Sequence, residues 1–229
     1  MEAILYICHG SRVKKACEQA IEFIKKCMAQ NPVSIQEYCF LELAAPTIEE
    51  AYEKCVQRGA TKIVVLPVLL LTAVHAKEDI PNELERIRKR FPNVEMVYGR
   101  PIGVHHHMID ILIERLLETR EELSEDSMVL LIGRGSSDPD VKRDLTEIAQ
   151  LLKRKAGLKR VDTCYLTAAK PGLEEALFTA KQSSYRKIFI IPYLLFTGIL
   201  MNTIKKPLRQ ASLMEKRNMY YAIILDTTR

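Results

Sequence analysis

The chain has 229 residues, enough for one large domain or two small ones. Its hydrophobic fraction of 48% and charged fraction of 28% are those of a globular protein. The net charge of +5 comes without an arginine-rich run interleaved with aromatic residues, so we expect no nucleic-acid partner.

Two further features indicate the compartment. No apolar run reaches the ~20 residues of a membrane span, and Met1-Glu2 leads into a strand pattern without the basic leader of a signal peptide. The 6 cysteines include no C-x-x-C pair and are typical of reduced core residues. We therefore expect a cytoplasmic protein with no membrane partner.

The first predicted strand, Ala3–Cys8, ends in residues that can do chemistry. His9 follows it, Gly10 allows a tight turn, and Ser11 is a suitable N-cap for the helix predicted next. His9 would then lie on the rim of a sheet, beside the backbone N–H groups of a helix start, where metals and anions can bind. The alternative is a histidine that merely ends a strand.

Strand and helix patterns alternate in the first half of the chain. Further strands are predicted at Ile35–Leu41, Lys62–Leu70 and Val94–Tyr98, with amphipathic helices between and after them. One of these helices should begin at Thr47-x-x-Glu50, a capping box. This alternation predicts an α/β fold with a doubly wound parallel sheet in the strand order 2-1-3-4 and helices on both faces.

The second half of the chain repeats the first at an offset of 125 residues. His9-Gly10-Ser11 aligns with Arg134-Gly135-Ser136, and Pro46 aligns with Pro171. One register held across a domain-sized stretch predicts two tandem duplicated lobes. We expect an N-terminal lobe at 1–122 that carries the active site and a C-terminal lobe at 128–229 that lacks its histidines. The last strand of the second lobe is predicted near 220–225, and the chain stops before the helix that would follow it.

Three polar residues are predicted at one edge of the first sheet. In doubly wound sheets, ligands bind beyond the carboxyl ends of the strands, where the strand order reverses. His9 ends strand 1, His75 follows strand 3 and Glu42 follows strand 2. Two imidazoles and a carboxylate suit Fe²⁺, Co²⁺, Ni²⁺ or Zn²⁺. His75 could instead cap a helix.

The repeat strengthens the pairing of the two histidines. Arg134 stands where the first half has His9, and Leu200 stands where it has His75. Because both histidines are absent together, they are interpreted as one site.

Other polar residues have less support. His105-His106-His107 is predicted to be a solvated helix start, because adjacent helical residues do not face one direction, with adventitious metal binding as the alternative. Cys8 adjoins His9, but neighbouring strand residues point to opposite faces, which argues against a Cys–His nucleophile. The segment after Arg134 fits either an anion nest or a structural turn.

These motifs resemble a known family. Ile4–Arg12, Phe40–Leu43, Leu66–Pro81 and Ile132–Arg143 resemble the two-domain sirohydrochlorin ferrochelatases, which are similar to shorter cobaltochelatases with one such unit per chain. The resemblance runs nearly to Tyr220 and implies a class II chelatase fold without an organic cofactor. It further implies insertion of Fe²⁺ into sirohydrochlorin to form sirohaem. Co²⁺ or Ni²⁺ remains an alternative, since imidazole suits all three metals.

The resemblance also implies roles for particular residues. His9 and His75 are expected to bind the metal and to take part in proton removal, with Glu42 as a further ligand nearby. The expected partners are sirohydrochlorin and a divalent metal, bound by a monomer. Contacts with sirohydrochlorin are expected from Ser11, Arg12, Leu43, Leu70, Leu71, Thr72, Ala73, Val74 and Arg134. Its carboxylates could also pair with Lys14, Lys15 or Lys77.

Two competing functions remain at this stage. One is a two-lobed metal or tetrapyrrole carrier without turnover. The other is a histidine phosphatase, although the histidine of that family normally follows an arginine and here follows Cys8. One departure concerns the tail: relatives usually continue past the last strand with a helix, which Ile223–Arg229 does not resemble.

Overall fold

The computed structural model of the chain describes residues 1–196, 203–204 and 218–221. Its described part forms two compact units, the first spanning Met1–Gly103 and the second beginning at Val104. Each unit contains one four-stranded parallel sheet.

The first unit confirms the predicted alternation. Its elements are β1 (Glu2–Cys8), α1 (Lys14–Ala29), β2 (Ile35–Phe40), α2 (Ile48–Gln57), β3 (Lys62–Pro67), a π-helical turn (His75–Asp79), α3 (Ile80–Arg90) and β4 (Glu95–Tyr98). The strand order is β2-β1-β3-β4, as predicted. Alternate β1 residues Ala3, Leu5 and Ile7 are fully buried in the main core cluster, which includes residues of α2 and α3. The predicted capping box at Thr47 and Glu50 starts α2.

The second unit has the same topology. It comprises α4 (His106–Leu117), β5 (Ser127–Gly133), α5 (Pro139–Lys155), β6 (Arg160–Tyr165), α6 (Leu173–Gln182), β7 (Lys187–Pro192) and β8 (Asn218–Tyr221). The strand order is β6-β5-β7-β8, in a sheet separate from the first. The predicted extension of the last strand to residue 225 lies outside the described residues.

The boundary between the units differs from the predicted one at residue 122. Helix α4 groups with the second unit, where it packs against α5 and β7. Its apolar stripe, Met108, Ile109, Leu112 and Leu116, is buried. The apolar period predicted this helix correctly, but a period alone does not say which sheet a helix covers.

The third strand ends earlier than the apolar run Lys62–Leu70 predicts. Its last residue is Pro67, and the Val68 N–H still donates to the Ile7 carbonyl at 2.7 Å. The chain then leaves the sheet, and the Leu69 and Leu70 carbonyls accept from the backbone of residues 102 and 103. Residues 68–74 thus form a loop at the carboxyl edge of the sheet.

Among the helices described, none is long and apolar enough to cross a membrane.

Candidate active site

The turn at Gly10, directly after β1, is hydrogen-bonded to the segment that follows β2. Gly10 has φ +92°, and a Cβ built there would lie 1.8 Å from the Glu42 carbonyl oxygen. The Glu42 N–H donates to the His9 carbonyl at 3.1 Å, and the Leu41 N–H donates to the Cys8 carbonyl at 2.8 Å. The backbones of His9 and Glu42 are therefore held side by side, and only glycine fits at position 10.

Ser11 is not the N-cap that the sequence predicts. Helix α1 begins at Lys14, and its N-cap is Val13, which makes no side-chain cap hydrogen bond. The Ser11 hydroxyl instead accepts from the Val13 N–H at 3.1 Å. The turn after His9 is therefore two residues longer than expected, since the serine caps the turn itself.

His75 begins the π-helical turn, at the end of the loop that leaves β3. Its Nδ1 lies 2.7 Å from Asp79 Oδ2. An ionised carboxylate only accepts hydrogen bonds, so in the neutral form of this imidazole Nδ1 carries the proton and Nε2 presents a lone pair. The Tyr98 hydroxyl donates to the Ala76 carbonyl at 3.0 Å and ties the turn to β4. Sequence reasoning missed Asp79, although the spacing His75-x-x-x-Asp79 would have indicated a pair one helical turn apart.

These elements bring His9, Glu42 and His75 together. The two imidazole centroids lie 4.7 Å apart with the rings at 89°. His9 Nε2 lies 3.5 Å from Glu42 Oε1, and one ligand atom from each of the three residues lies within 4.8 Å of the others. Two donors ~2.1 Å from one ion at a tetrahedral angle are about 3.4 Å apart. Small side-chain rotations would therefore bring the three donors close enough to share one metal ion, which makes them a candidate metal site.

The donors are accessible from solvent. The exposed side-chain fractions are 24% for His9, 46% for Glu42 and 30% for His75. A cavity of about 520 Å³ opens beside Glu42 and His75, between the start of α2 and the start of α3. An ion and part of a larger ligand can therefore reach this edge of the sheet.

Most of the residues predicted to contact substrate lie in the loops that carry the three donors. Ser11 and Arg12 follow His9, and residues 70–74 precede His75. Two apolar side chains are exposed next to donors: Leu43, at 51% with φ +63°, and Val74, at 37%. Arg134 belongs to the second unit, directly after β5, and is exposed.

The second unit repeats the turn without the donors. Gly135 has φ +91°, and a Cβ there would lie 1.8 Å from the Thr167 carbonyl oxygen. The Thr167 N–H donates to the Arg134 carbonyl at 2.9 Å, as Glu42 does to His9. The segment after Arg134 thus repeats the backbone turn that follows His9. Leu200, the counterpart of His75, lies outside the described residues.

Cys8 does not supply a nucleophile beside His9. Its side chain is buried, and burial, followed by the charges of Cys17 and Cys27, raises the pKa of Cys8 to about 12. The thiol is therefore neutral at physiological pH. All 6 cysteines are free thiols, as predicted.

The duplicated parallel sheet is that of the class II chelatases. The sequence profile of the CbiX family matches residues 3–119 and 128–229, and the chain belongs to this family.

Similar proteins include sirohydrochlorin ferrochelatases. The chain is 59% identical over 212 residues to that of Priestia megaterium, covering 93% of this chain and 80% of the relative. It is 48% identical over 209 residues to that of Bacillus subtilis strain 168, covering 91% and 80%. A sirohydrochlorin cobaltochelatase of Priestia megaterium is 37% identical over 214 residues, covering 92% and 69%.

Two solved chelatase structures are similar to this chain in fold. SirB from Bacillus subtilis with Fe³⁺ superposes with a TM-score of 0.91 at 46% identity, covering 97% of this chain and 88% of that one. SirB from Bacillus subtilis subspecies spizizenii in complex with cobalt gives 0.85 at 42% identity, covering 97% and 86%.

Proposed function

We propose that the chain is a sirohydrochlorin ferrochelatase, which inserts Fe²⁺ into sirohydrochlorin to form sirohaem. The observation that carries this proposal is the set of three donor atoms from His9, Glu42 and His75 within 4.8 Å of one another. Iron is favoured over cobalt because the ferrochelatases among the relatives are 59% and 48% identical, whereas the cobaltochelatase is 37% identical.

The three donors first hold the metal. Insertion requires Fe²⁺ to lose part of its water shell, and the two imidazoles and the carboxylate replace some of these waters. His75 acts mainly as a metal ligand, because its Nδ1–H···Asp79 hydrogen bond fixes the ring and makes Nε2 a stronger donor. Asp79 is thus a positioning residue.

Insertion also releases the two pyrrole protons of the macrocycle. Once the ion passes to the macrocycle, the Nε2 lone pair of His9 is released, and His9 is the proposed proton acceptor, since a neutral imidazole with a free pKa of ~6.5 can take up a proton near pH 7. Glu42 Oε1, 3.5 Å from His9 Nε2, stabilises the resulting imidazolium. Glu42 is 46% exposed, so it can pass the proton to water before the second one arrives.

The substrate contacts follow from the same loops. The exposed apolar side chains of Leu43 and Val74 can pack on a flat macrocycle beside the donors. Arg12 and Arg134 can pair with its carboxylates. Lys14 is a weaker candidate, because its ammonium already lies 3.6 Å from Glu18.

The assembly and compartment are also proposals. The three donors come from one chain, which supports a monomer. The free thiols support a reducing, cytoplasmic location. Sedimentation velocity tests the first point, since a dimer at micromolar concentration would contradict it.

Anaerobic incubation of the purified chain with excess sirohydrochlorin and Fe²⁺, Co²⁺ or Ni²⁺ tests the function. The macrocycle absorbance should change over many turnovers, fastest with Fe²⁺. Faster turnover with Co²⁺ would favour the cobaltochelatase alternative. The structure of a similar SirB in complex with cobalt is consistent with that alternative. Stoichiometric binding without turnover would indicate a carrier and overturn the proposal.

A further inference from the structure

A second group of metal-binding side chains lies at the start of α4. His105, His106 and His107 each offer one ring nitrogen, and these three atoms lie within 4.8 Å of one another. We call these residues the histidine cluster. Its ring centroids are 4.1, 4.4 and 5.1 Å apart, and all three residues are exposed.

The close approach corrects the expectation that adjacent histidines point apart. That rule holds for residues inside a helix, but His105 is the N-cap of α4, with an extended backbone at φ −138° and ψ 137°. Its Nδ1 accepts from the His107 N–H at 3.3 Å. This hydrogen bond turns the first ring back over the helix start and places the proton of the neutral ring on Nε2. Binding a metal through Nε2 therefore requires the proton to move to Nδ1 and this long hydrogen bond to break.

We propose that the histidine cluster binds one borderline divalent cation, such as Ni²⁺, Co²⁺, Zn²⁺ or Fe²⁺. Imidazole is a good ligand for such metals. Two nitrogens that each lie ~2.1 Å from an ion are at most about 4.2 Å apart. Rings spread over 4.8 Å therefore need only small rotations to share one ion, and exposed side chains can make them.

One ion pair lies beside the cluster, so the nearby acidic and basic charges largely offset one another. Asp110, one turn further along α4, acts electrostatically on His106 and His107, although it is ion-paired with Lys155.

The cluster belongs to the second unit and shares no residue with the His9, Glu42 and His75 set in the first. These two sets are the metal-competent groups of three within the described part of the chain. The proposal rests on ring geometry alone and does not depend on the proposed enzymatic function.

Isothermal titration of the chelator-treated full chain with NiCl₂ tests the proposal. The wild type should bind two ions per chain. The cluster variant carries His105→Asn, His106→Gln and His107→Gln, and it should bind one, because asparagine keeps an N-cap acceptor while the ligands are lost. The matched variant, His9→Ala with His75→Ala, should also bind one, and the combined variant none. Circular dichroism should show unchanged helix content in every variant.

The outcomes separate the two sites. An ion lost only in the cluster variant would uphold this inference even if the first-unit site failed to bind. Unchanged stoichiometry in the cluster variant, or binding that requires millimolar Ni²⁺, would overturn it.

Discussion

The two units of this chain share a backbone turn and differ in the side chains mounted on it. Gly10 and Gly135 have φ +92° and φ +91°, and at each a Cβ would lie 1.8 Å from a carbonyl oxygen. His9 and Glu42 flank the first turn, whereas Arg134 and Thr167 flank the second. The duplication therefore separates what the fold needs, the glycine, from what the chemistry needs, the donors.

The side chains that follow β2 and β6, Glu42 and Thr167, have different polar partners. The Thr167 hydroxyl donates to the Arg134 carbonyl at 3.1 Å, so it is satisfied within its own turn. The Glu42 carboxylate instead lies beside the His9 imidazole. The turn of the first unit therefore places its carboxylate beside an imidazole, while the turn of the second uses a hydroxyl for its own backbone.

The largest effect should be a loss of stability when the glycine turn that both units share is disrupted. Gly10→Ala and Gly135→Ala should each lower the free energy of unfolding by about 3 kcal/mol or more, because both conformational strain and overlap with a carbonyl oppose the methyl group. Urea titration measures this. Gly157→Ala is the control: its φ is +66°, but no atom lies within 4 Å of the added Cβ. A control variant as unstable as the other two would show that overlap contributes nothing.

Removing the donors should lower activity strongly and leave the fold intact. His9→Ala and His75→Ala should each lower kcat by roughly 10²-fold or more, the scale expected for a positioned acid–base group. The double variant should cost little beyond the worse single one, since residues that act together are not additive. Substrate binding, followed by difference absorbance, should survive in all three. A near-wild-type rate with Fe²⁺ and Co²⁺ in either single variant would make that histidine structural.

Asp79 tests how far the metal site extends beyond its ligands. Asp79→Asn should weaken metal binding by about 10- to 100-fold, because an amide strengthens the imidazole donor less than a carboxylate does. The readout is the visible spectrum during a Co²⁺ titration, made in the background of the cluster variant so that only the first-unit site is measured, and Asp79→Glu should recover part of the affinity. Glu78→Gln, an adjacent exposed carboxylate, is the matched control. Equal Co²⁺ affinity in Asp79→Asn and Glu78→Gln would remove Asp79 from the site.

Arg134 tests whether the second unit contributes to substrate binding. Arg134→Ala should raise KM for sirohydrochlorin by roughly tenfold, the scale of one charge-assisted hydrogen bond. The change in kcat should be smaller, because an anchor binds ground and transition states about equally. The kinetics are measured at low salt, where charge pairs are least screened. An unchanged KM would show that this arginine serves only the turn.

The smallest effect should be a loss of stability when the hydrogen bond that holds the helical turn of His75 against β4 is removed. Tyr98→Phe should cost about 1 kcal/mol of unfolding free energy at pH 8, because the hydrogen bond to the Ala76 carbonyl is lost. Burial raises the pKa of Tyr98 to about 12. The protonated phenol therefore stabilises the fold fully below pH ~10, and this contribution declines as pH rises towards 12. Urea unfolding between pH 8 and 11.5 should show the difference between wild type and variant shrinking, and a constant difference would contradict this.

The sequence predicted the topology well because periodicity reports burial. The continuous apolar run from Lys62 indicated a central strand, and the capping box at Thr47 marked the start of a helix. The sequence could not assign α4 to the second unit, since that depends on which sheet its apolar stripe meets. It also placed Ser11 as a helix cap, because the turn length is set by hydrogen bonds that composition does not encode.

The grouping of the three candidate donors was predictable from the sequence. His9, Glu42 and His75 follow three strands whose ends meet at one edge, so topology alone brings them near one another. Asp79 was missed because the segment after His75 was not predicted to be helical, and the pair becomes apparent only when residues 75–79 form a helical turn. The proximity of His105 and His107 was missed because it depends on an extended residue at the helix start.

The position of the donors on the rim has a kinetic consequence. A resident structural metal is usually enclosed, with every coordination position filled by protein. The three candidate ligands here have exposed fractions of 24%, 46% and 30%, and an ion held by them would have water in its remaining coordination positions. An under-coordinated ion exchanges readily, so it can leave for the nitrogens of a macrocycle that surround it completely. Tighter protein coordination would slow that departure and leave the ion trapped on the chain.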